Sequence, residues 1–167
     1  TGGTLALATG INITKSTGTL SLSGTGTSAA TGALHNAAAS GQTAQWTGDI
    51  SLAGNATITT ADNLLILGDD LNFDNTINLG SYTLTLNTTS ATGVTPTYLP
   101  YPAYLLDPTN IYISGTITGT GGLTKTGAGT VNLITDASNS YSGATTITGG
   151  KLIVDGVGDA PVISGSS

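Results

Sequence analysis

The sequence predicts an all-β chain wound as a parallel β-solenoid, one domain over residues 1–167, and three observations carry that expectation. Short apolar residues alternate with polar ones along the whole length, as in Thr4-Leu5-Ala6-Leu7 and Tyr82-Thr83-Leu84-Thr85-Leu86, the period of half-buried strands. A tight turn rich in Gly, Asn, Asp or Ser follows almost every such stretch, as turn geometry requires. Large aromatics are scarce, with one Trp and one Phe, so a wide sandwich or barrel core has little to fill it. A narrow core of Leu, Ile and Val stacked between successive coils needs no such filling, and at about 20–29 residues per coil the chain makes roughly six to eight coils.

Taken in order, the strand candidates begin with Thr4–Leu7, Thr19–Leu22, Asp49–Leu52 and Ala56–Thr59. Asn63–Leu67, Leu71–Phe73, Thr76–Leu79 and Tyr82–Leu86 follow. The last third adds Ile111–Ile113, Thr130–Leu133, Ala144–Ile147 and Lys151–Val154. β-Branched Thr, Ile and Val dominate them, and no segment sustains the i, i+3, i+4, i+7 spacing of an amphipathic helix. The pairs Trp46-Thr47-Gly48 and Tyr141-Ser142-Gly143, each ahead of a strand, read as an echo of one coil design.

One segment breaks the pattern. Residues 93–110 hold Pro96, Pro100, Pro102 and Pro108 together with Tyr98, Tyr101 and Tyr104. Proline cannot donate to a strand ladder, so this segment is expected to leave the coil as an inserted loop. It either packs back on its own rod or serves as a self-association arm through Tyr98, Leu99, Tyr101, Tyr104, Leu105 and Leu106. Aromatic anchors on a proline-stiffened loop lose little entropy on docking.

Charge excludes several function classes. All nine acids are Asp, the three bases are Lys15, Lys125 and Lys151, and the net charge is −6. A chain so poor in bases is not built to neutralise phosphates, so neither nucleic acid nor an anionic membrane surface is an expected partner. No apolar run approaches the ~18 residues of a spanning helix, so membrane insertion is not expected either. Cysteine is absent, which suits an extracellular protein and equally a reducing compartment. The chain starts at Thr1 without Met and is expected to be a mature product or an excised segment.

Chemistry finds little purchase. Asp69, Asp70 and Asp74 form the one tight acidic cluster; they read as a solvated turn, with a weak Ca²⁺ site as the alternative. His35 is the only histidine, and without Cys or a second His it makes no usual zinc site. No Ser and Asp are singled out to build a triad around it. No catalytic residue, cofactor or metal site is therefore expected, and the chain is read as a non-enzyme. Thr-x-Thr pairs recur at Thr57/Thr59, Thr83/Thr85, Thr116/Thr118, Thr124/Thr126 and Thr146/Thr148. Stacked in register they would order water, as in ice-binding solenoids, but their irregular spacing favours outward ladders that simply solvate the sheet.

Gly122-Leu123-Thr124-Lys125-Thr126-Gly127-Ala128-Gly129-Thr130-Val131-Asn132-Leu133, resumed at Asn139 to Leu152, resembles the autotransporter-associated β-strand repeat, also called the passenger-associated transport repeat. The resemblance is best over 121–154, with two extra residues around Ile134 to Ser138. It implies a right-handed β-helix at the bacterial cell surface or in a secreted fibre, and it implies no catalytic residue.

The strand-like ends suggest how such a module is used. Leu5 and Leu7 open the chain and Val162 and Ile163 close it, with no charged or helical cap on either side. An uncapped solenoid edge invites head-to-tail stacking, which does not close on itself and gives a filament. The leading expectation is a structural unit of an extracellular fibre or surface stalk, with copies of itself, or tandem repeats, as partner. The alternative is an adhesin segment binding glycan or host surface; a polysaccharide-degrading β-helix enzyme ranks below both.

Overall fold

The computed structural model describes residues 2–13, 18–28, 31–68, 75–94, 108–134 and 139–155. They form fifteen strands and, among the described residues, no helix. The strands are β1 (Leu5–Leu7), β2 (Asn12–Ile13), β3 (Thr19–Gly24), β4 (Leu34–Asn36), β5 (Thr43–Trp46), β6 (Asp49–Thr60), β7 (Leu64–Leu67), β8 (Thr76–Asn78), β9 (Leu84–Thr88), β10 (Ile111–Ile113), β11 (Thr116–Thr118), β12 (Leu123–Thr126), β13 (Thr130–Ile134), β14 (Thr145–Ile147) and β15 (Lys151–Asp155).

Every pairing between these strands is parallel. Three stacks result. β1, β4, the second half of β6, β9, β12 and β14 make a first face, and β2, β5, β7, β10, β13 and β15 make a second. β3, the first half of β6, β8 and β11 make a third. The chain visits the faces in that order on every turn, so the molecule is the parallel solenoid that the alternating pattern predicts. Five coils lie below a sixth, of which β14 and β15 are described. In the fifth coil the third face is not a regular strand: Ser140 N–H donates to the Ile117 carbonyl at 2.9 Å and Asn139 Oδ1 accepts from Ile117 N–H at 2.8 Å.

Period-two alternation sends one residue set inward, and parallel stacking turns that set into columns. On the first face Leu5, Leu34, Ile58, Leu86, Lys125 and Ile147 stand in register. On the second face the column is Ile13, Trp46, Leu67, Ile113, Leu133 and Val154. Leu20, Ile50, Ile77 and Ile117 form the third. Apart from Lys125 and the exposed Ile147 and Val154, they belong to one continuous core of aliphatic side chains plus Trp46, each fully buried Leu or Ile stabilising the fold by about 1.5–3 kcal/mol.

Coil length varies widely while register is kept. Leu86 and Lys125 are paired across 39 residues, Lys125 and Ile147 across 22. The long coil contains the stretch between β9 and β10, whose base is closed by an antiparallel bridge between Val94 and Thr109. On the outer side of the second face Leu64, Ile66, Tyr112 and Ile134 form a separate buried cluster against which Val94 packs. The two aromatic-Ser/Thr-Gly elements do not share a coil position: Trp46 ends β5 on the second face, whereas Tyr141 lies on the third, ahead of β14.

Candidate functional site

Where the first face turns into the second, the interior is polar. In the inward column beside Lys125's, on lower coils, Asn36 and Thr60 occupy positions that alternation would assign to apolar residues, and both are buried. Turn carbonyls and amides explain them, since buried backbone groups must find partners. Asn36 Nδ2 donates to the Leu64 carbonyl at 2.7 Å and its Oδ1 accepts from Ala38 N–H at 2.9 Å. Asn63 Nδ2 donates to the Ala38 carbonyl at 2.7 Å, and Thr60 Oγ1 donates to Asn63 Oδ1. Asn110 extends the spine: its Nδ2 reaches the carbonyls of Ala61 and Thr92, and its Oδ1 accepts from Thr130 N–H at 2.9 Å.

Lys125 is the strongest departure from an apolar core. It is 0% exposed and stands between Leu86 and Ile147 in the aliphatic column. Its Nζ donates to three carbonyls, Thr126 at 2.7 Å, Gly127 at 3.0 Å and Gly149 at 3.0 Å. Three donors on an ammonium meet three acceptors, so the head group is satisfied without a carboxylate. Two of those carbonyls lie at the end of β12 and in the turn after it, and the third in the turn after β14, so the side chain ties the fifth coil to the sixth. Burial pulls the ammonium down from 10.5 to about 8, because desolvation disfavours the charged form.

The other candidates fall as follows. Among the described residues no three His, Cys, Asp or Glu side chains gather to hold a metal ion. His35 stands on the outer side of the first face between Ala6 and Thr59 in register. Asp69, Asp70 and Asp74 lie outside the described residues, as do Tyr98, Leu99, Tyr101, Tyr104, Leu105, Leu106, Val162 and Ile163. Leu5 is half-buried and Leu7, at 1% exposure, belongs to the core.

Among the described residues, three further apolar positions in the end coils are bare and were not singled out by end-of-chain reasoning. Ile147 is 54% exposed and Val154 43%, although each continues a core column. At the opposite end Ile11, one coil below Ala44 on the second face, is 40% exposed. The signal for these was the parity of each strand combined with its place in the outermost coil, and only the first half of that is visible in a sequence.

Residues 123–154, 32 of the 167, match the family model of the passenger-associated transport repeat. The match begins with β12 and ends within β15, and so covers two strand pairs stacked directly on one another, β12 on β14 and β13 on β15. The repeat is a structural repeat of passenger domains, not an enzyme family. No curated protein and no solved structure matches the chain.

Proposed function

We propose that this repeat-bearing solenoid is a structural segment of an extracellular fibre or cell-surface stalk, extended by stacking coil on coil at its open ends. One observation carries the reading: the core columns run bare into the last described coil. Ile147 and Val154 are half exposed, whereas Lys125 and Leu133, one coil below them in the same columns, are at 0% and 1%. A further coil, from another copy or from more of the same polypeptide, completes those columns and pairs the edges that β14 and β15 leave unpaired among the described strands. Ile11 at the far end supplies the complementary apolar surface.

Electron microscopy of the purified chain, with its mass measured under denaturing conditions, tests this. Filaments that denature to a 16.3 kDa species are the expected result. A monodisperse short rod overturns self-stacking and makes glycan binding the next property to measure.

A further inference from the structure

Three of the five irregularly spaced Thr pairs, Thr57/Thr59, Thr124/Thr126 and Thr146/Thr148, align in three dimensions, and Thr85 of a fourth joins them. On the outer side of the first face Thr57, Thr85, Thr124 and Thr146 stand in one register column. Two residues further along, Thr59, Asn87 and Thr126 stand in a second, and Thr148 follows two residues after Thr146. Thr57 and Thr59 are buried. The upper three rungs, Thr85/Asn87, Thr124/Thr126 and Thr146/Thr148, are half-buried to exposed. They form an uncharged patch two columns wide, with only Thr83, Gly122 and Ala144 beside it on the next outward column. The hydroxyls of Thr85, Thr124 and Thr146 have no protein partner among the described residues, so their bonding capacity faces outward. In the second column Thr126 Oγ1 donates to Asn87 Oδ1 at 3.2 Å and Thr148 Oγ1 to the Lys125 carbonyl at 3.3 Å, which leaves these two hydroxyls to act outward as acceptors.

We infer that this patch binds ordered water as a lattice, that is, an ice surface. The distances decide it. Hydrogen-bonded water oxygens lie about 2.75 Å apart, so tetrahedral geometry sets second neighbours at about 4.5 Å and the axial repeat, eight-thirds of the bond, at about 7.3 Å. Successive rungs of a β-stack repeat at about 4.7–4.9 Å, and residues two apart on a strand at about 6.6–6.8 Å. Over three rungs the accumulated mismatch stays below about 1 Å. β-Branched Thr holds its hydroxyl and methyl in few rotamers, so little entropy is lost on docking. A neutral patch on a chain of net charge −6 selects a neutral partner, and without an aromatic side chain in its columns it offers a polysaccharide no stacking platform.

The test is the growth habit of single ice crystals in solutions of the folded chain, together with incorporation of fluorescently labelled chain into a growing ice front. Faceted crystals and uptake are expected for the wild type. Thr124→Tyr, at the centre of the patch and on its outer side, should abolish both. Thr116→Tyr, on the outer side of the third face, should leave both intact, with far-ultraviolet circular dichroism showing each variant folded. Round, unshaped crystals with the wild type overturn the inference, as does full activity in Thr124→Tyr. So does a polysaccharide that binds the wild type, is lost in Thr124→Tyr, and is accompanied by no effect on ice.

Discussion

At the residue scale, Lys125 makes stability depend on pH in a direction that can be worked out. Its ammonium releases a proton at about 8 in the folded chain and at 10.5 when unfolded. Between those values the unfolded chain binds more protons, so unfolding free energy rises with pH across that window and the term is constant below it. Urea unfolding of wild type and Lys125→Met at intervals from pH 7 to above 10 isolates the effect, since all other groups are shared. The difference between the two should shift in favour of the wild type as pH rises; a flat difference would refute the assignment. Glycine supplies a second case. Gly127 has φ +77°, and a Cβ there would lie 2.1 Å from the Thr88 carbonyl oxygen. Gly127→Ala should therefore cost more than about 1 kcal/mol. Gly3→Ala, where nothing lies within 4 Å, should stay within about 0.5 kcal/mol. Equal losses at both positions in denaturant titrations would contradict this packing.

At the element scale, stability is graded along the axis. β7 and β10 have strands paired on both sides and are wholly buried. β14 and β15 are paired on one side among the described strands, and the three residues of β14 are all exposed. Coils of a solenoid contact only their neighbours, so a coil with one neighbour opens more readily. Amide hydrogen exchange on monomeric chain should show β14 and β15 exchanging before β7 and β10, and uniform protection would sink the idea. The Lys125 tether to Gly149 opposes this fraying, and it lies inside the matched repeat. That gives the repeat a physical unity: its upper strand pair rests on its lower one and is held there by one side chain.

At the scale of the whole molecule, stacking and stability are the same interaction. Every internal coil has its backbone groups paired above and below, so a filament should dissociate slowly and resist denaturant far better than a short rod. Val154→Asp, in the column whose next member is Leu133, tests the link between the bare column and assembly. The side chain is exposed in the single chain, so folding should change by no more than about 0.5 kcal/mol. At a junction the same carboxylate would be buried in an aliphatic column without a partner, a costly arrangement. Filaments should be lost while circular dichroism is unchanged; filaments of normal length from Val154→Asp would refute the junction.

The amino-acid sequence by itself determined the all-β class, the inward and outward sides of the strands, the turns between them, and the stretch matching the repeat at 123–154. These are local properties: the pleat alternates side chains every residue, and Gly, Asn or Asp turns follow from backbone sterics within a few residues. Lys125's inward side follows from the pleat once β12 is known, since it sits two residues after Leu123, but β12 is not among the strand candidates read from the sequence, and the three carbonyls that hold the ammonium come from two coils. Register is not local. Coils of 22 and 39 residues align the same columns, so linear spacing hid the Thr ladder that pairing reveals. Which apolar residues are bare is not local either: Leu7 and Ile147 read alike in the sequence and both lie in strands paired on one side, yet Leu7 is buried and Ile147 exposed.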